Sequence, residues 1–191
     1  MPTCNKIIAL VGMCGAGKSV VADQLAAQGC QFIRFGQITL DEIKKQGLEP
    51  SEANQRKIRE TFRQQHGMAA FAVLNIPKID ELLKSGPVVI DGLYSWSEYK
   101  ILKEKYNSLL TVLAIYASPQ TRYSRISQRK PDNQDTDLRQ HHFSITEAQA
   151  RDYAELENIE KGGPIAMADY TLINEGTAEE LTQQLAQLDL F

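Results

Sequence analysis

Apolar and polar positions alternate between two periods along this chain. Ile7-Ile8-Ala9-Leu10-Val11 is a continuous apolar run bounded by polar residues and glycine, which predicts a buried strand. From Ser19 to Ala27 the apolar positions recur at helical spacing, and Gly29 lies where a left-handed C-terminal cap belongs. Cys30 to Phe35 predicts a short second strand. A long, mostly helical section follows from about Ile38 to Lys84, interrupted at Gly47–Pro50 and bent at Pro77. Pro87-Val88-Val89-Ile90-Asp91 is the cleanest buried strand. Ser95 and Glu98 stand at capping-box spacing and open another helix. Leu109 to Tyr116 predicts the next strand. Ser118-Pro119 starts a helix with a cap residue followed by proline at the first helical position.

Residues 130 to 143 are rich in polar side chains and predict a loop or flap. Ser144 and Glu147 form a second capping-box pattern, opening a helix that should end at Gly162-Gly163-Pro164. A last strand at Asp169–Ile173 leads through Asn174-Glu175-Gly176 to a terminal helix opened by Thr177 and Glu180. Five strands separated by helices predict one α/β domain. A parallel sheet lies between two helical layers, with sites at the strands' carboxyl ends. The section from about 37 to 85 reads as a helical insertion and 130–143 as a lid.

Composition narrows the function classes. The 191 residues carry a net charge of −3, which argues against a general nucleic-acid binder. Cys4, Cys14 and Cys30 show no metal-ligand spacing, and an odd count without a secretory pattern fits the reducing cytoplasm. No apolar stretch approaches membrane-spanning length. Oligomeric state leaves no mark in the pattern.

The chemistry is concentrated at Gly12-Met13-Cys14-Gly15-Ala16-Gly17-Lys18-Ser19, the pattern G-x-x-x-x-G-K-[ST] between a strand and a helix. Glycines let successive amide N–H groups point at one anion, and the helix beginning near Lys18 adds its positive dipole end. The phosphate-binding set is Gly12, Gly15, Ala16, Gly17, Lys18, Ser19 and Val20. Lys18 should reach the β- and γ-phosphates of a nucleotide, and Ser19 should offer its hydroxyl to Mg²⁺. Cys14, inside the loop, reads as a small filler or as a redox-sensitive position.

Asp91 ends a buried strand near that loop, where a carboxylate can hold Mg²⁺ or its water; the alternative is an acidic turn residue. Arg122, Arg125 and Arg129 share one helix face, which suits either stabilisation of phosphoryl charge or a solvated surface. Arg139 in the flap and Arg151 beyond it fit a lid that excludes water. His66, His141 and His142 have no evident ligand partners. Arg56, Arg59 and Arg63 also share a face, either exposed or with one residue reaching an acceptor phosphate.

These residues together resemble the small phosphate-loop kinases: adenylate kinase, its nucleoside monophosphate relatives and dephospho-CoA kinase. Val88-Val89-Ile90-Asp91-Gly92 is similar to the Asp-Gly element of that superfamily. Ala168 to Thr177 is similar to the end of dephospho-CoA kinases. Ile76-Pro77-Lys78-Ile79 and Ala117-Ser118-Pro119-Gln120-Thr121-Arg122 extend the likeness to the adenylate kinase-related, dephospho-CoA kinase-like branch common in archaea. The resemblance implies an ATP-dependent phosphotransferase, with ATP·Mg²⁺ across the loop and adenine near Asn174 and Gly176. Lys18, Asp91 and Arg122 would be catalytic, and Ser19 and Asp91 would hold the metal. A nucleotide-like small molecule would accept the phosphoryl group, between Phe35 and the helical insertion. The chain departs from the branch at Gln37 and Thr39, where members often carry Asp and Arg, and at Tyr94, where they often carry Arg. Tyr94 and Trp96 can pack at the helix start or stack on a planar group. A nucleotide-dependent switch ATPase signalling to a protein partner is the rival expectation.

Overall fold

The computed structural model describes residues 5–129 and 144–190. The predicted lid, with Arg139, His141 and His142, lies outside the described residues, as does Cys4. The described residues form five parallel strands: β1 (Ile7–Val11), β2 (Gln31–Arg34), β3 (Val88–Asp91), β4 (Leu110–Tyr116) and β5 (Tyr170–Ile173). They lie in the order β2-β3-β1-β4-β5. The helices are α1 (Lys18–Ala27), α2 (Gln37–Lys45), α3 (Glu52–His66), α4 (Ala70–Leu82), α5 (Trp96–Tyr106), α6 (Pro119–Ser127), α7 (Ile145–Ile159), α8 (Gly162–Ala166) and α9 (Ala178–Ala186).

Side chains alternate across a strand, so β1 feeds two cores at once. Ile7, Ala9 and Val11 point to one face, where Phe71 and Ile79 of α4 and Leu102 and Tyr106 of α5 close the layer. Ile8 and Leu10 point to the other, against Val21 and Leu25 of α1 and Leu181 and Leu185 of α9. This two-sided burial explains the unbroken apolar runs of β1 and β3. It also brings the carboxyl ends of three strands together: Leu10 pairs with Asp91, and Arg34 pairs with Asp91 from the other side.

The four helix starts marked by Ser95, Ser118, Ser144 and Thr177 are where the chain pattern predicts them. Each of these residues is an N-cap whose side chain accepts from a backbone N–H three residues on. Gly29 takes its left-handed turn (φ 95°) after α1. Helix α4 runs from Ala70 to Leu82 with Pro77 inside it. One expectation needs correction. Helix α7 stops at Ile159, before Gly162, because Glu160 turns left-handed (φ 54°) and a separate short helix begins at Gly162. The section from 37 to 85 comprises α2, α3 and α4, and α4 belongs to the core through Ala70, Phe71, Ala72 and Ile79.

Candidate functional site

The loop between β1 and α1 is clamped from both sides by neighbours that leave no room for side chains. Gly12 (φ 141°) passes so close to β4 that a Cβ would lie 2.3 Å from the Ile115 carbonyl oxygen. Gly17 (φ 103°) is the N-cap of α1, and a Cβ there would lie 2.2 Å from Asn174 Nδ2. That same Nδ2 donates to the Ala16 carbonyl at 2.8 Å. The Val20 amide is spent on the Gly17 carbonyl at 3.1 Å, as the first turn of a helix requires.

Lys18 folds back over the loop and donates to the carbonyls of Gly12 (2.9 Å) and Met13 (3.2 Å). Burial pushes its pKa down to about 8, and the nearby charge of Lys161 adds to that, while Asp91 opposes it. Lys18, Ser19 and Asp91 line one cleft together with Cys14, Gly15 and Gly17 of the loop. Asp91 Oδ1 is buried and has no hydrogen-bond partner among the described residues. An orphaned carboxylate oxygen beside an exposed serine hydroxyl suits a hard, oxygen-seeking cation. Among the described residues no three His, Cys, Asp or Glu cluster as a protein-only metal cage. Mg²⁺ bound with phosphates needs only one or two protein oxygens.

The far walls of the cleft carry Arg34 at the end of β2, Tyr94 after β3, Arg129 after α6, Arg151 and Glu155 on α7, and Lys161 between α7 and α8. Five cationic side chains (Lys18, Arg34, Arg129, Arg151, Lys161) thus face two carboxylates (Asp91, Glu155), in a chain whose net charge is −3. Such concentration of one sign in a cleft attracts an anion. Glu155 accepts from Arg151 Nε at 3.0 Å and from Lys161 Nζ at 2.5 Å. Burial alone would raise the Glu155 pKa, but these two cations outweigh it and hold the carboxyl at about 2.

Arg122 and Arg125 of α6 and Arg129 just after it do different work. Arg122 is buried and donates to the carbonyls of Ala117 and Cys14, both at 3.1 Å, and to Asp152 Oδ2 at 2.6 Å. It does not line the cleft; it braces the loop from below. Arg125 donates to the carbonyls of Asn174 (2.8 Å) and Gly176 (2.9 Å), fastening the turn after β5. Glu175 in that turn accepts from the Ser118 amide and the Thr121 hydroxyl. Arg129 alone reaches the cleft. Asn174 and Gly176 therefore support the loop and its neighbour turn and are not cleft-lining residues.

Arg56 pairs with Glu60 at the surface (2.8 Å), and Arg63 lies over the Phe71 ring, 5.5 Å from its centroid. Gln37 donates to Asp41 within α2, and Thr39 is buried. Trp96 stacks on Tyr99 at 5.0 Å, with Lys100 on its ring, so packing occupies it. Lys161 and Glu155 escaped the reading of the sequence. An i, i+4 pair of Arg151 and Glu155 was visible as a helix-face signal, but Lys161 depends on the corner at Glu160, which no local pattern announces.

A family model described as "AAA domain" matches residues 8–161. A UPF0200 protein of Thermococcus gammatolerans is 32% identical over 185 residues, which is 95% of this chain and 93% of that protein. A UPF0200/UPF0201 protein of Archaeoglobus fulgidus is 32% identical over 184 residues, which is 96% of this chain. The chain spans about half (54%) of that relative's length. The solved structure of shikimate kinase from Acinetobacter baumannii superposes with a TM-score of 0.53 at 22% identity, over 95% of this chain and 91% of that one. The fold is that of the phosphate-loop kinases. The chain belongs to the family that the AAA-domain model describes and to the UPF0200 proteins.

Proposed function

We propose that this protein is a small-molecule kinase that moves the γ-phosphoryl group of ATP to a nucleotide-like acceptor, such as a nucleoside monophosphate or dephospho-CoA. The observation that carries this reading is the convergence of Lys18, Ser19 and the unpartnered Asp91 oxygen in one cation-rich cleft. Phosphoryl transfer asks a protein mainly for positioning and charge, and this cleft offers both. The amides of Gly15, Gly17, Lys18 and Ser19 and the N-terminus of α1 would hold the phosphates, while the Ala16 amide donates to the Met13 carbonyl at 3.2 Å. Lys18 would swing from the Gly12 and Met13 carbonyls to the β- and γ-phosphates. Ser19 and Asp91 would hold Mg²⁺, which when bound neutralises the phosphate oxygens. Arg129 and Arg151 would add charge from the walls. Arg122 would act as a positioning residue, fixing the Cys14 carbonyl and so the loop. The name of the solved neighbour, a shikimate kinase, supports a small acceptor in this fold.

The test is ATP consumption by purified protein with Mg²⁺ and a panel of nucleoside monophosphates, nucleosides and dephospho-CoA. One acceptor should raise turnover strongly and appear as its phosphorylated product. Lys18→Ala should lower that turnover by about 100-fold or more with an unchanged circular dichroism spectrum. Slow release of phosphate into water, insensitive to every acceptor, would sink the kinase reading in favour of a switch ATPase.

A further inference from the structure

Lys161 sits at an abrupt corner of the chain. Helix α7 ends at Ile159, Glu160 takes a left-handed φ of 54°, and α8 starts at Gly162. A non-glycine residue in that region carries a conformational cost, which persists only where the surroundings fix the geometry. Here they do. A Cβ on Gly163 would lie 2.9 Å from Trp96 Cε3, so α8 packs flush on α5.

The corner drives Lys161 inward until the residue is 2% exposed. Its ammonium lies 4.6 Å from the centroid of the Tyr94 ring and 2.5 Å from Glu155 Oε2. Removing an ammonium from water is costly unless partners replace the lost hydration. The group has three N–H donors, and among the described residues Glu155 is the one hydrogen-bond acceptor its Nζ reaches. Glu155 is itself shared with Arg151. The fold has thus delivered a buried cation, with donors to spare, to the cleft that holds Lys18 and Asp91. Two ammoniums in one cleft repel each other, and a polyanion between them removes the penalty.

Position in the cleft says which part of a nucleotide this cation meets. Lys161 rests on Tyr94, just past the end of β3, on the side of β1 away from β4 and β5. The proposed function puts Lys18 on the β- and γ-phosphates and Mg²⁺ on Ser19 and Asp91; Lys161 lines the same cleft and its charge acts on Lys18, so the phosphates it meets are the terminal ones.

We propose that Lys161 is a second phosphate-binding lysine, which grips the terminal phosphoryl group of a bound nucleoside triphosphate and is positioned for that task by Glu155. The assignment rests on the reading of the cleft as a nucleotide site. Lys161 then separates triphosphate from diphosphate, a distinction that loop amides near α1 make poorly.

The experiment is equilibrium binding of the Mg²⁺ complexes of a non-hydrolysable ATP analogue and of ADP, by calorimetry, to the wild type, Lys161→Met, Lys161→Arg and Glu155→Gln. Lys161→Met should lose about 10-fold or more in affinity for the triphosphate and less than about 2-fold for ADP. Lys161→Arg should recover most of the loss, and Glu155→Gln should show the same selectivity with a smaller amplitude. Equal losses for both nucleotides, or none, in variants of a wild type that binds the analogue would overturn the proposal while leaving the nucleotide site standing. A wild type that binds neither nucleotide overturns the reading of the cleft as well. If Lys161→Met does not fold, Glu155→Gln carries the decision: selective loss supports the assignment, and uniform or absent loss removes it.

Discussion

Glu98 is buried in the first turn of α5 and Glu155 lines the cleft, and burial works against the charge of both. At Glu98 burial prevails. Its carboxyl is pushed up to about 7 although the amides of Tyr94 and Ser95 donate to it and Arg63 and Lys161 lie nearby. At Glu155 the two bonded cations prevail. The signs of the resulting pH dependence are opposite. Glu98 binds its proton more tightly in the folded protein, so its contribution is fully favourable below about 4.5 and is lost as pH rises through about 7. Glu155 contributes fully above about 4.5 and loses that contribution as pH falls towards 2. Glu98→Gln should therefore gain stability relative to wild type on going from pH 5 to pH 8, by on the order of 1–3 kcal/mol. Urea unfolding at the two pH values measures it. An unchanged difference between the two proteins would contradict the assignment of a protonated Glu98 at pH 5.

At the scale of elements, α7 carries Arg151, Asp152 and Glu155, and its cap sets where it begins. The Ser144 hydroxyl accepts from the Glu147 amide, and the Glu147 carboxylate accepts from the Ser144 amide at 2.8 Å. Ser144→Ala should cost about 1 kcal/mol in denaturant unfolding. Caps of this kind were legible in the sequence because their chemistry spans only four residues. Strands β1 and β3 were legible for a related reason: strands of a parallel sheet buried on both faces are written as unbroken apolar runs. The end of α7 was not legible. Glu160 has no intrinsic preference for a left-handed turn, and the corner is imposed by contacts with α5 from another part of the chain. The arginines of α6 show the same limit. Their spacing promises a shared face, yet their acceptors, the Cys14, Asn174 and Gly176 carbonyls, come from distant segments and draw them apart. The loop residues could be read because a motif fixes them locally; Lys161 and the bracing role of Arg122 belong to tertiary structure.

For the whole molecule, a net charge of −3 surrounds a cleft where five cations meet two carboxylates. Mg²⁺-ATP at a hundred times its dissociation constant should stabilise the fold by about 2.7 kcal/mol, a shift of a few degrees in Tm that Lys18→Ala largely removes. Added potassium chloride should weaken that affinity, since partly exposed cations are screened over about 8 Å at physiological salt. Affinity independent of salt would mean that the cleft's charge is not what holds the ligand. Among the described residues no helix is long and apolar enough to cross a membrane.

The contact between Gly17 and Asn174 also has a consequence for biosynthesis. Domains assemble as the ribosome releases them, and the phosphate loop leaves the ribosome well before β5. Yet the Ala16 carbonyl and the close approach at Gly17 are completed by a side chain that follows β5. A nascent chain halted after Ala168 has β1 to β4 but lacks the residue that closes the loop from behind. The loop thus waits for a residue translated long after it, and a stalled chain displays the sequence of a nucleotide site without its grip.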